Sequence, residues 1–369
     1  MDVSRAGESH RQLRVDGGRQ SYLAAGSTFK LRTSSASRGF FFVSPEGSMP
    51  KTPTYDLIII GAGPAGLSCA LAAEKAGLSY VILEKGSLAD AIRRFPVNMT
   101  FFSTPELLEI GGIPFLTAAF RPTRVEAVRY YQRAAAQYGV RVRSDERVDA
   151  VRKDDDVFEV RTSKDRHLGR AVVVATGYFD RPAPYEVPGS DLPKVLRYFD
   201  EGIHYFERRV AVVGGKNSAV ETALELHRAG ADVTLIHRGP DLSDGVKYWI
   251  LPDIQNRIKS GDIRALFNAR VVEVKPDVLV IDQRQRVEIP NDCLFVMIGY
   301  DPDVSLLSDA GAEIDRETHA PVHNPNTLET TVKGLYVAGS IAAGRLNNKI
   351  FIENGRLHGE LIVRSFTSR

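Results

Sequence analysis

The chain has very few cysteines. Its 369 residues include only Cys69 and Cys293, which lie far apart and form no C-x-x-C pair. A disulfide framework is therefore excluded, and a reduced cytoplasmic compartment is predicted. Long apolar runs are missing too, because none approaches the roughly 20 residues that span a bilayer. We therefore expect no membrane partner.

An excess of charge of one sign is also missing. The 48 Lys and Arg residues nearly balance the 46 Asp and Glu residues, and the net charge is +2. This balance argues against a nucleic-acid partner, since such proteins carry basic surfaces. The chain length suggests two or three domains with a large core. No metal site is predicted.

Residues 1–50 differ in composition from the rest. They are rich in Ser, Arg and Gly and contain no apolar core of a secretory signal. We expect a disordered extension or an upstream start chosen in place of Met49. A transit peptide is the alternative, but the acidic residues of this segment argue against it.

The main motif is a strand, a glycine turn, a helix and a second strand within about 30 residues. The apolar run Leu57 to Ile60 predicts a parallel strand buried on both faces. Gly61 to Gly66 then have G-x-G-x-x-G spacing, typical of a turn that receives a pyrophosphate. The second strand, Tyr80 to Leu83, ends in Glu84, which can accept hydrogen bonds from a ribose. The motif predicts a dinucleotide site rather than a merely structural turn.

A second copy of this pattern begins at Val210. Its turn, Gly214 to Ala219, has Lys216 in place of the middle glycine. Its next strand ends in His237-Arg238 instead of an acid. A cation there suits the 2′-phosphate of NADPH, so NADPH is expected over NADH. A solvated surface charge is the other interpretation of Arg238.

Three further segments point to a site. Arg93 to Phe115 has neither helical nor strand periodicity and predicts a long ordered loop that lines a site. A buried strand ends in Ala175-Thr176-Gly177, and another, Leu335 to Ala338, meets Gly339-Ser340. A helix carrying Ile350 to Leu361 is predicted next, with free N–H groups at its start.

These blocks, in this order, resemble the two-dinucleotide-binding flavoproteins that include thioredoxin reductase. The resemblance covers about Thr54 to the C-terminus and implies an α/β fold of two Rossmann-like domains, the second inserted in the first. Residues 51–181 and 301–369 are expected to bind FAD, and residues 182–300 to bind NADPH. A homodimer is also implied.

The resemblance places the cofactor contacts on these motifs and their surroundings. The candidate FAD residues are Gly61, Gly63, Pro64, Ala65, Gly66, Glu84, Lys85, Phe102, Ser103, Val148, Ala175, Thr176, Gly177, Gly339, Ser340, Lys349 and Ile350. The candidate NADPH residues are Gly214, Lys216, Asn217, Ser218, Ala219, His237 and Arg238.

A narrower resemblance is to the YpdA-type bacillithiol disulfide reductases. It is carried by N-M-T-F-F-S-T-P-E-L-L-E-I-G-G-I-P-F, G-G-K-N-S-A-V-E and N-K-I-F-I-E-N-G-R-L-H. Better-known members of that family hold a cysteine where this chain has Ala65. Cys69, one helical turn later, is either a displaced redox thiol or a buried structural residue. Cys293 is expected to be structural.

The redox pair of thioredoxin reductases is missing, because Arg197 and Asp200 occupy its places. Thioredoxin reduction by an internal dithiol relay is excluded, since no thiolate is available there. The predicted function is hydride transfer from NADPH to FAD and then to a low-molecular-weight disulfide or another small acceptor, such as a quinone. The catalytic residues are not identified.

Several alternatives remain open from the sequence. A diaphorase or a ferredoxin-NADP reductase-like enzyme needs no cysteine, which suits this chain. A flavin monooxygenase is suggested by A-T-G-Y-F-D-R-P, but the usual F-x-G-x-x-x-H segment is absent. A flavin-binding redox sensor is the non-enzymatic interpretation. The sequence does not name the acceptor.

Overall fold

A computed structural model describes residues 53–346 and 349–369, and the predicted N-terminal extension lies outside the described residues. The strands in chain order are β1 Thr54–Ile60, β2 Tyr80–Leu83, β3 Val142–Arg143, β4 Val148–Asp154, β5 Val157–Thr162, β6 Arg166–Val174, β7 Val195–Leu196, β8 Arg209–Val213, β9 Asp232–Ile236, β10 Ile263–Leu266, β11 Arg270–Val274, β12 Val278–Asp282, β13 Arg286–Pro290, β14 Cys293–Val296 and β15 Leu335–Val337.

The α-helices of the described residues are mostly short. They are α1 Pro64–Lys75, α2 Asp90–Arg93, α3 Pro105–Leu108, α4 Arg124–Gln137, α5 Asn217–Arg228, α6 Leu251–Ser260, α7 Ser305–Asp309, α8 Ile352–Gly355 and α9 His358–Thr367. Two 3₁₀ helices, Ile203–Tyr205 and Gly339–Ala343, complete the helical elements. None of these helices is both long and apolar enough to cross a membrane.

The first sheet has the strand order β3-β2-β1-β6-β5-β4, with β15 also paired to β6. Strands β3, β2, β1, β6 and β15 run parallel, whereas β4 and β5 form an antiparallel extension. Leu57 and Ile59 pack into the core on one face, and Ile58 and Ile60 into the core on the other. This two-sided burial explains why β1 has no polar alternation.

The second sheet is fully parallel, with the order β10-β9-β8-β14-β7. It repeats the strand-turn-helix-strand arrangement, since α5 connects β8 to β9 as α1 connects β1 to β2. A separate three-stranded antiparallel sheet, β11-β12-β13, packs against one face of it through a shared apolar core. All these strands lie in the sequence between β6 and β15 of the first sheet. The predicted α/β fold, with a second Rossmann-like domain inserted in the first, is thus confirmed.

The two chain segments that link the sheets run side by side. The amide of Ala183 donates to the carbonyl oxygen of Gly299 at 3.0 Å, and the amide of Asp301 donates to that of Arg181 at 2.9 Å. Both crossings between the domains are therefore paired by backbone hydrogen bonds.

The predicted C-terminal helix is wrong in its bounds. The structure has one turn, α8, and then α9, with Arg356 and Leu357 between them. Ile350 precedes both helices, and Leu357 is half-exposed. The apolar residues fit one helical period across the break, so the pattern alone does not reveal it. Gly359, just after the break, packs so closely on α1 that a Cβ would lie 2.5 Å from the carbonyl group of Ser68.

Candidate cofactor cleft

A cleft of about 1080 Å³ is lined by residues of both Rossmann-like domains. The predicted FAD residues that line it are Gly61, Gly63, Pro64, Ala65, Glu84, Lys85, Phe102, Ser103, Val148, Ala175, Thr176, Gly177, Gly339, Ser340 and Ile350. Of the predicted NADPH residues, Asn217 and Ser218 line it. The remaining predicted residues, which are not part of the lining, are Gly66, Lys349, Gly214, Lys216, Ala219, His237 and Arg238.

Glycine is needed at each of the three positions of the first turn for a different physical reason. Gly61 has φ +104°, and a Cβ there would lie 2.6 Å from the carbonyl oxygen of Ala175. A Cβ on Gly66 would overlap the carbonyl oxygen of Gly61. A Cβ on Gly63 would meet no described atom within 4 Å, so the backbone there faces open space. This cradle fits a pyrophosphate, as in FAD, that approaches the backbone closely.

Glu84 closes the turn from the end of β2. Its two carboxylate oxygens accept the amide of Ala62 at 2.7 Å and the amide of Gly86 at 2.8 Å. Burial raises the pKa of Glu84 above its usual range, against the effect of these hydrogen bonds. Each oxygen keeps a further lone pair, so the carboxylate can still accept a ribose hydroxyl.

The helices that follow the two turns begin alike. Within the described part of the chain, neither α1 nor α5 has a side-chain hydrogen bond at its N-cap, which is Gly63 and Lys216 respectively. The N–H groups of their first turns are therefore available to a ligand, and the helix dipole favours an anion there. Both starts suit a phosphate group.

The second turn is more filled than the first. Gly214 has φ +150°, and a Cβ there would lie 2.5 Å from the carbonyl oxygen of Met297. The imidazole of His237 packs directly against the backbone of Gly215. Burial, reinforced by nearby Arg238, lowers the pKa of His237, so this ring is uncharged at neutral pH. Arg238 is exposed, which leaves it as the cation at the end of β9.

A buried histidine supports the turn after β15. The Nδ1 atom of His358 accepts the amide hydrogen of Gly339 at 3.1 Å. Burial lowers the pKa of His358 to about 4, which keeps the ring neutral and able to accept. Gly339 itself has φ +72°. Sequence reasoning missed His358, because nothing in its local pattern links it to Gly339.

One wall of the cleft was predicted from the sequence, whereas two residues of the second domain that line it were not. The loop Arg93 to Phe115 supplies one wall, as predicted, and contains the single turn α3. Trp249, from the second domain, lines the cleft and lies 5.5 Å from the ring of Phe102. Glu221 on α5 lines it as well, and burial with the nearby Glu225 raises the pKa of Glu221 to about 7.

Both cysteines are buried away from the cleft. Cys69 is 0% exposed, and burial raises the pKa of its thiol to about 12. Burial likewise raises the pKa of Cys293 to about 11. Because the thiolate is the reactive form, these values argue against a redox role for Cys69. Among the described residues, no group of three His, Cys, Asp or Glu side chains could hold a metal ion.

Arg197 and Asp200, which occupy the places of the missing dithiol, have different surroundings. The Arg197 guanidinium donates to the carbonyl oxygen of Ala183 in the first crossing. Burial lowers the pKa of Arg197. Asp200 lines the cleft, and its carbonyl oxygen accepts the amide of Val97 at 2.7 Å. Neither residue offers a nucleophile for disulfide exchange.

Two Rossmann-like units whose helices α1 and α5 both begin at one cleft define a flavin- and pyridine-nucleotide-dependent oxidoreductase. The family model for pyridine nucleotide-disulphide oxidoreductases matches residues 58–339. The chain belongs to the pyridine nucleotide-disulphide oxidoreductase family.

Individual relatives agree with this family. The chain is 42% identical over 315 residues to the bacilliredoxin reductase Bdr of Bacillus subtilis, covering 85% of this chain and 97% of that protein. The solved bacillithiol disulfide reductase Bdr (YpdA) of Bacillus cereus has a TM-score of 0.85 at 42% identity, over 86% of this chain and 100% of that one. The thioredoxin reductase of T. acidophilum has a TM-score of 0.69 at 23% identity, over 85% and 98%, and shares the fold alone.

Proposed function

We propose that this protein uses NADPH to reduce a low-molecular-weight disulfide, with bacillithiol disulfide as the leading candidate. The balanced reaction converts NADPH, a proton and one disulfide into NADP⁺ and two thiols. The observation that carries the proposal is the 42% identity to a bacilliredoxin reductase over nearly all of that protein's length. It favours disulfide reduction over ferredoxin reduction or monooxygenation.

Each domain is proposed to bind one of the two cofactors. We propose that residues 51–181 and 301–369 hold FAD through the open backbone at Gly63 and the carboxylate of Glu84. Residues 182–300 hold NADPH through the start of α5, with Arg238 on the 2′-phosphate. The chemistry that bound FAD supplies is two-electron transfer between NADPH and the acceptor.

The acceptor is reduced without a protein thiol. Ala65 lines the cleft where the resembling family carries a cysteine, and both thiols of this chain are buried. The disulfide must therefore enter the cleft itself, because no cysteine relay can carry electrons to it. We also propose a cytoplasmic homodimer, on the resemblance and the two free cysteines alone.

An anaerobic reoxidation experiment tests this function. The FAD-loaded protein is reduced with stoichiometric NADPH and mixed with bacillithiol disulfide while the flavin absorbance is followed. Rapid reoxidation is expected, and Cys69→Ala should reoxidise at a rate within about twofold of wild type because its thiol is unreactive. A flavin that stays reduced with the disulfide, yet reoxidises with a quinone or ferredoxin, would overturn the proposal.

A further inference from the structure

Four side chains form a basic aromatic rim on the cleft: Phe102, Arg121, Lys247 and Trp249. The Arg121 guanidinium lies 4.3 Å from the Trp249 ring centroid, and the Phe102 and Trp249 rings meet edge to face at 5.5 Å. The ammonium of Lys247 is 5.8 Å from both ring centroids. Phe102, Arg121 and Trp249 line the cleft. The rim thus brings two cations to one aromatic surface beside the proposed FAD residues.

The two cations of the rim lack acidic partners. In the described ranges, neither Arg121 nor Lys247 forms an ion pair with a carboxylate, although both side chains are partly buried. The Nε of Arg121 is enclosed and has no hydrogen-bond acceptor among the described residues, so no protein carboxylate or carbonyl compensates the guanidinium on that side. Positive charge that is partly removed from water and has no acidic partner is costly, and a bound anion would offset this cost. The rim therefore offers positive charge that an anion in the cleft could neutralise.

Both domains hold the rim in place. The backbone amide of Lys247 donates to the side-chain oxygen of Asn217 at 2.8 Å, which ties this segment to the start of α5. Phe102 and Arg121 belong to the first domain, in the region between α2 and α4. An anion bound at the rim would consequently lie between the two proposed dinucleotide sites.

We propose that the rim binds a carboxylate of the disulfide acceptor, so that the enzyme selects acidic low-molecular-weight disulfides. This inference rests on the proposed function and specifies its substrate class. Arg121 and Lys247 supply the charge, and the rings of Phe102 and Trp249 hold the two cations in position. A phosphate of NADPH has similar anionic chemistry, so the experiment must separate these two sources.

The test compares two acceptors that differ in charge. Dithiodiglycolate carries two carboxylates, whereas hydroxyethyl disulfide is neutral. For Arg121→Gln and Lys247→Gln, the KM ratio of dithiodiglycolate to hydroxyethyl disulfide should rise about tenfold, because a hydrogen bond to a charged group is lost. Arg121→Lys should recover part of the ratio. Arg133→Gln, which removes an exposed charge on α4, should leave the ratio unchanged.

Two results would overturn the inference. In one, the KM values of both acceptors change in parallel or not at all, as expected if the rim only joins the domains. In the other, the KM for NADPH rises while the acceptor ratio stays constant, which would assign the rim to the nucleotide phosphate.

Binding can be measured without turnover, because Trp249 is the only tryptophan of the chain. A saturable change in its fluorescence on titration with dithiodiglycolate is expected for wild type and should be lost in Arg121→Gln. If the wild type reduces neither probe disulfide, this titration alone decides whether the rim binds a carboxylate, while the reoxidation by bacillithiol disulfide decides the proposed function. No fluorescence change in wild type would overturn the rim site.

Discussion

The two glycine turns have the same backbone plan but present different surfaces. In the first turn, Gly63 leaves open space and β2 ends in the carboxylate of Glu84. In the second, Lys216 stands at the equivalent position, and the cation Arg238 follows β9. Both turns precede a helix of twelve residues. A few side chains, rather than the fold, therefore decide which dinucleotide each turn suits.

The helices after the turns differ in what covers them. Helix α1 is covered by α9, since a Cβ on Gly359 would lie 2.5 Å from the carbonyl group of Ser68. The residue of α5 that corresponds to Ser68 of α1 is Glu221, which lines the cleft. The first turn is thus an anchored part of the core, whereas the second presents a titratable face to the cleft.

The largest expected effect separates the structural from the ligand-binding glycines of the first turn. Gly66→Ala should cost about 3 kcal/mol or more in the free energy of unfolding, because its Cβ overlaps backbone. Gly63→Ala should leave the apo protein as stable as wild type, since its φ of −75° suits any residue. Its methyl group should nevertheless weaken FAD binding at least tenfold, because it fills the space left for a pyrophosphate. Urea unfolding and FAD titration measure the two effects. Tight FAD binding by Gly63→Ala would show that the open space is not the pyrophosphate cradle.

A smaller effect is expected at the basic end of the second turn. Arg238→Ala should lower the preference for NADPH over NADH, expressed as kcat/KM, about tenfold by removing a charge-assisted contact to the 2′-phosphate. Stopped-flow flavin reduction with each nucleotide measures this preference. Arg286→Ala, an exposed charge on β13, is the matched control. An NADPH preference that is the same in wild type and Arg238→Ala would show that Arg238 is only a solvated surface charge.

The smallest effect concerns the titratable face of α5. The pKa of Glu221 in the folded protein is raised to about 7, above its value in the unfolded chain. The stability linked to this carboxyl group is therefore fully present below the unfolded pKa and is lost as the pH rises through the folded pKa. Between pH 5 and pH 8, wild type should lose on the order of 1 kcal/mol more stability than Glu221→Gln, after allowance for partial exposure. Urea unfolding across this pH range measures the difference. Glu360→Gln, exposed on α9, should follow the wild-type profile, and identical profiles for all three proteins would contradict the expectation.

Much of the fold could be predicted from the sequence because the strands, turns and helices of the two units are encoded by local sequence patterns. The buried runs of β1 and β2, the glycine spacing and the acid at Glu84 all report on one continuous segment. The repeated pattern at β8, α5 and β9 was predictable for the same reason. These elements need little information from distant parts of the chain.

The cleft was less predictable because distant segments build it. Trp249 meets Phe102 across the two domains, and His358 reaches Gly339 from a later helix. Neither contact has a periodic signal. The break between α8 and α9 was missed because the apolar residues fit one helical period across it and give no local signal of the interruption.

Burial of both thiols has a consequence for chemical durability. Cys69 is fully enclosed and burial raises the pKa of its thiol to about 12, so at neutral pH it is neither ionised nor accessible to alkylating agents or peroxide. Cys293 is buried as well, and its pKa is raised to about 11. We therefore expect peroxide, at a dose that inactivates enzymes with catalytic thiols, to leave both cysteines of this protein unmodified.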